Sequence, residues 1–130
     1  MKQFPKLGKW AAGVIASIAL TYTISKADAK IKQTVKQSSK TRYWSANLKG
    51  QYVDIGRPLT FNQAVAEVAT GRNVFTVTWY EAAAVARAAG GKTGANNTPL
   101  PREIHGGGKK GYYWHYHTYN RKGGHVYYLF

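Results

Sequence analysis

Gly111 to Tyr119 (GYYWHYHTY) and His125 to Phe130 (HVYYLF) are β-favouring, aromatic-rich runs on either side of Asn120-Arg121-Lys122-Gly123-Gly124. Bulky rings flanking a glycine-bearing turn suit a pleated surface, so this stretch is expected to form a β-hairpin. Successive side chains of a strand face opposite ways. With a loop over 120–124, Tyr119 pairs with His125 and His117 with Tyr127. Trp114, Tyr116, Thr118, Val126, Tyr128 and Phe130 then make a mostly apolar face suited to packing on helices. His115, His117, Tyr119, His125 and Tyr127 share the other face. His117 and His125 become diagonal neighbours about 7 Å apart. A loop one residue shorter would scatter the histidines, so the clustering is conditional on register.

Upstream, Tyr43–Leu48 and Gln51–Ile55 read as two short strands about Lys49-Gly50. Thr60 and Gln63 form a capping-box pattern ahead of a helix stopped by Gly71, with Phe61, Ala64, Val65 and Val68 as its buried stripe. Asn73–Thr78 alternates as a strand. Thr78 and Glu81 then open an alanine-rich helix from Trp79 to about Ala89, which Gly90-Gly91 ends. Residues 91–111 carry no regular signal, and an ordered loop of that length is usually functional. Within it, Gly106-Gly107-Gly108-Lys109 resembles a phosphate-cradling nest but lacks the full P-loop pattern. No internal repeat is present. The expected fold is α+β: a small antiparallel sheet with two helices on one face, its last strands the histidine-rich hairpin.

The N-terminal part has a different character. Lys2, Lys6 and Lys9 precede an apolar run from Trp10 to Ile24, and Ala27-Asp28-Ala29 follows it. Positive charge, an apolar stretch of about 15 residues and an A-x-A site together describe a cleavable signal-peptide helix over 1–29. The alternative is a retained N-terminal membrane anchor. Either form touches the membrane during export and places the remainder beyond it. Residues 30–42 (KIKQTVKQSSKTR) carry five basic residues and no acid, which reads as a basic flexible arm. The folded domain proper is expected over 43–130.

The full chain has a formal net charge of +14, and residues 30–130 keep 15 basic and 4 acidic residues, a net +11. Such a balance implies a polyanionic partner: RNA or other nucleic acid, cell-wall polymer, or an anionic membrane. Cysteine is absent, which excludes cysteine nucleophiles, Cys-ligated zinc and disulfide staples. Histidines titrate near neutrality, so His117 and His125 suit a general acid–base pair acting across a scissile phosphate, with His115 orienting them. His105 and Glu103, from the long loop, are candidates to complete the site. Lys109, Lys110 and Arg121 are candidate phosphate-binding cations, and Tyr116, Tyr119 and Tyr127 candidate base-stacking rings. RNA supplies its own 2′-hydroxyl nucleophile, so such a site requires no cofactor. The alternative chemistry is zinc held by His115, His117 and His125. Glu103 is the one carboxylate near the histidines in sequence, which argues against a magnesium site built on several acids.

The motifs "IGRPLT", "GRNVFTV…EAAAVA", Pro101-Arg102-Glu103-Ile104-His105 and "YYWHYHTYNRKGGHVYY" follow one another in an order that resembles the C-terminal toxin modules of bacterial secreted and polymorphic putative toxins. The most specific part is His115-Tyr116-His117 with Gly124-His125-Val126-Tyr127, and the resemblance runs from about Tyr43 onward. It implies a secreted toxin-like domain, often a nuclease acting on RNA, with a small acidic immunity protein as partner. The expected function is thus a metal-independent ribonuclease using histidine acid–base chemistry. The alternative is a non-catalytic cationic secreted protein that binds wall polymer, nucleic acid or anionic membrane.

Overall fold

The computed structural model describes residues 22–50, 52–90, 113–118 and 122–130. Helix α1 covers 22–37. The elements that follow are β1 (Tyr43–Lys49), β2 (Tyr52–Leu59), α2 (Phe61–Ala69), β3 (Asn73–Thr76), α3 (Trp79–Ala89), β4 (His115–Tyr116) and β5 (Val126–Tyr128). The fold is α+β, built on a five-stranded sheet of order β2-β1-β3-β5-β4. The sheet is mixed rather than antiparallel, because β5 runs parallel to β3 and antiparallel to β4. The hairpin seen in the sequence therefore exists, but it joins the sheet by inserting its second strand beside β3.

The expected local signals fall where their chemistry puts them. Gly50 turns the β1–β2 hairpin at φ 63°, and Gly71 ends the α2 segment at φ 91°, both conformations that favour glycine. The Thr60 hydroxyl accepts from the Gln63 backbone N–H at 3.2 Å while the Gln63 side chain accepts from Thr60 N–H at 2.9 Å. At α3 the Glu81 carboxylate accepts from both the backbone N–H of Thr78 and its hydroxyl. The same carboxylate is gripped by the Arg42 guanidinium at 2.7 and 2.9 Å.

Two apolar layers sandwich the sheet. On one face α2 and α3 bury Ala64, Val68, Ala82, Val85 and Ala86 against Val74, Val126 and Tyr128. This is the helical layer expected from the sequence. The other face is covered by α1, whose Ile31 packs on Trp44, Val53, Ile55, Phe75 and Tyr127. Here the structure corrects the sequence reading: residues 30–37 are helical, not a flexible arm, and the boundary set at Ala29 lies inside a continuous helix. Ala27, Asp28 and Ile31 are all buried. Asp28 accepts a hydrogen bond from the Tyr113 hydroxyl and pairs with Lys32 at 3.0 Å. Burial, then Asp28 itself, hold the Tyr113 phenol protonated far above its ordinary range. Among the described residues, no helix is long and apolar enough to cross a membrane.

Two aromatic placements also differ from expectation. Trp114 and Phe130 were expected on the helix-packing face but are 40% and 69% exposed. They lie outside β4 and β5, and the chain after β5 turns to bond the β3–α3 junction, Phe130 N–H donating to the Val77 carbonyl and Trp79 N–H to that of Phe130.

Burial pushes the Glu81 carboxyl up, yet the Arg42 and Thr78 hydrogen bonds and the Arg42 charge outweigh it and hold the group below its ordinary value. A carboxyl depressed on folding stabilises fully above its unfolded value and ceases to do so as pH falls through the folded one. Stability should therefore begin to fall as pH drops into the ordinary glutamate range and continue falling below it. In urea unfolding across pH 3–7, Glu81→Gln should flatten that acid limb and lower stability at pH 7 by about 1–3 kcal/mol.

Candidate active site

His115 lies on β4, His117 one residue beyond it and His125 one residue before β5. The register pairs His115 with Tyr127 and Tyr116 with Val126, displaced by two residues from the expected pairing. A shift of two conserves faces, so the histidines still share one side of the sheet. His117 now stands across from His125 instead of diagonal to it. Ring centroids lie 5.0 Å apart for His115–His117, 4.9 Å for His115–His125 and 4.5 Å for His117–His125. One ring nitrogen from each lies within 4.8 Å of the others.

The triangle is graded in exposure. His115 is fully buried, His117 is 8% exposed, and His125 is half-buried toward solvent. Tyr127 forms the floor, stacked on His125 at 5.6 Å with 15° between planes and tilted on His115 at 5.2 Å. Burial pushes its phenol up to about 12, so it stays neutral under the histidines.

Each of two imidazoles is oriented by an oxygen. His115 Nδ1 lies 3.3 Å from the Tyr113 carbonyl. His125 Nδ1 lies 3.2 Å from Asn73 Oδ1, which also accepts the His125 backbone N–H at 2.8 Å. Both oxygens only accept, which favours a proton on each Nδ1 and, in a neutral ring, leaves the lone pair on Nε2.

His125 is seated by an unusually close backbone approach. Gly124 N–H donates to the Val68 carbonyl at 2.9 Å, and Val74 N–H donates to that of His125 at 3.0 Å. A Cβ on Gly124 would collide with the Arg72 carbonyl, which is backbone and has no room to yield.

Asn73 also lines a neighbouring cleft of about 390 Å³ bordered by Ser45, Asn47, Arg57, Glu67 and Arg72. Glu67 is buried on α2, pairing with Arg57 through one carboxylate oxygen and with Arg72 at 3.2 Å through the other. Two guanidiniums share one carboxylate, which leaves the cleft net positive, and both arginine side chains are mostly exposed. These residues were not singled out from the sequence. The signal was available: Glu67 falls on the buried side of α2 between Ala64 and Val68, and a buried carboxylate requires cationic partners.

Of the other expected site residues, Tyr116 points away, stacking on Tyr128 at 5.8 Å against the helical layer. Tyr127 is 5% exposed beneath the histidines. Tyr127 is therefore not placed to stack on a base. Glu103, His105, Lys109, Lys110, Tyr119 and Arg121 lie outside the described residues. Protein-family models, curated proteins and solved structures give no match to this chain.

Gly124→Ala should disturb the fold and the histidine triangle together. We expect a loss of about 1–3 kcal/mol in urea unfolding and displaced His125 ring resonances in NMR spectra. Substitution without either effect would show that the backbone contact is not what seats His125.

Proposed function

We propose that this chain is an exported toxin-like domain that binds RNA and cleaves it at the His115–His117–His125 centre. The observation that carries the reading is Asn73, whose side chain orients His125 and which also borders the arginine-lined cleft. A strand of RNA lying in that cleft would set phosphates on Arg57 and Arg72 and a neighbouring phosphodiester at the histidines. Guanidiniums suit this role because their planar fork matches phosphate oxygens. The positive balance of the chain supplies long-range attraction for the same ligand. An acidic immunity protein covering the basic face is the partner such an activity requires.

The full-length chain should shorten single-stranded RNA, and His125→Ala should slow this by about 100-fold or more. Joint replacement of Arg57 and Arg72 by alanine should weaken RNA binding and reduce the salt slope by about 1.4, roughly 0.7 per lost contact. Undiminished cleavage by His125→Ala sinks the assignment. Binding without cleavage by the unmodified chain, indifferent to the histidines, favours the non-catalytic cationic binder.

Within this reading, the N-terminal segment stays attached. Cleavage after Ala29 would remove Asp28 from Tyr113 and cut α1 two residues before its buried Ile31. The apolar run from Trp10 to Ile24 would then act as an anchor. Expression in a bacterium with export intact should give a membrane-associated product with the intact-chain mass. A soluble product starting at Lys30 would overturn anchoring and leave the proposed activity standing.

A further inference from the structure

We infer that His115, His117 and His125 form a three-histidine centre for a divalent transition ion, with zinc as the ion it fits best. The inference deepens the proposed function by naming what the histidines hold, and it rests on spacing and orientation. A general acid and a general base on opposite sides of a phosphoryl group each require a hydrogen bond of about 2.6–3.2 Å, which sets their nitrogens roughly 6 Å or more apart. Here the three nitrogens lie within 4.8 Å of one another. Those three atoms are too close for any two of them to straddle a phosphate and near the separation around a single ion. Tetrahedral zinc with Zn–N bonds of about 2.0–2.1 Å holds its nitrogens roughly 3.3 Å apart. The triangle reaches that by closing about 1.5 Å at most.

Orientation supports the same conclusion. Ligating histidines characteristically give their second ring N–H to a carbonyl or carboxylate, which fixes the tautomer and aims the other nitrogen at the metal. The Tyr113 carbonyl does this for His115 and Asn73 Oδ1 for His125. Simple aromatic packing would account for the ring contacts but not for two acceptors placed behind the rings.

The donor set selects the ion. Three neutral imidazoles suit zinc and its first-row neighbours, whereas magnesium and calcium require oxygen ligands. Three ligands from the described residues leave a fourth position, the arrangement of catalytic rather than structural zinc sites. His125 is the most exposed of the three, which makes its side the approach from solvent. There a water or a phosphate oxygen of the RNA would complete the coordination. Asn73 becomes a positioning residue, coupling the ion to the arginine-bordered cleft.

The test uses the metal-stripped full-length chain titrated with zinc and, separately, with cobalt(II). We expect one ion per chain, a raised melting temperature, and a cobalt visible spectrum of tetrahedral intensity. Histidine-selective ¹⁵N NMR should show one ring-nitrogen resonance from each of the three histidines moving together on zinc addition, a readout that requires no variant. His117→Gln should weaken zinc binding by at least about 100-fold, and Asn73→Leu by about 10–100-fold at unchanged stoichiometry. No uptake, uptake with the three resonances unmoved, or equal affinity in His117→Gln would each overturn the site. RNA cleavage undiminished in EDTA by a chain that takes up no zinc would refute the metal and leave the ribonuclease reading intact. Tight zinc uptake with no RNA cleavage would do the reverse.

Discussion

The approach of Gly124 to the turn between α2 and β3 governs how the rest of this molecule assembles. There the backbone of the residue before His125 meets the Val68 and Arg72 carbonyls closely enough to exclude any side chain. That contact brings β5 in beside β3, in parallel, and so completes the middle of the sheet. It also fixes the height at which His125 stands over Asn73. The Gly-x-His-x-aromatic pattern in the sequence thus has a steric basis: the glycine is the condition for the histidine's position, and the following Val126 and Tyr127 fill opposite apolar layers.

The two faces of the sheet divide the remaining work. Small alanines let α2 and α3 lie close on one side. On the other, α1 brings Ile31 onto Trp44 and Phe75 and leaves the neighbouring strip to the histidines and their tyrosine floor. Buried polar groups on this side come in matched sets: Asp28 with Tyr113 and Lys32, Glu67 with two arginines, His125 with Asn73. Such sets are expensive to break and fix the register of what they join.

Much of this architecture was legible from local chemistry. The capping residues Thr60 and Thr78, the turn at Gly50 and the alternation of Val126 and Tyr128 each act over a few positions, and each element formed near its signal. What escaped has a common cause, that its partners are distant in sequence. The inward stripe of α1 runs through half-buried Ile24, buried Ala27 and Ile31, and half-buried Val35, across the position where an export signal was expected to end. Divided there, each half keeps only one helically spaced pair, too short a run to mark a helix. The parallel pairing of β3 with β5 leaves no mark on either strand. The histidine face survived a wrong register because the error was an even number of residues, whereas the cleft could not be assembled from Arg57, Glu67 and Arg72 without knowing that α2 lies over β1 and β3.

The parallel β3–β5 ladder has a kinetic consequence. Val74 finds its partner Val126 across 52 positions of chain, while β1, β2, α2 and β3 meet through short turns. Closing so long a loop is slow relative to forming hairpins and helices. During that interval a three-stranded intermediate would present the open edge of β3, carrying Val74 and Phe75, to any other copy nearby. Mutual repulsion between chains of net charge +14 opposes such encounters. The basic character that draws the folded protein to polyanions would thus also act earlier, keeping half-built molecules apart until the last strand docks.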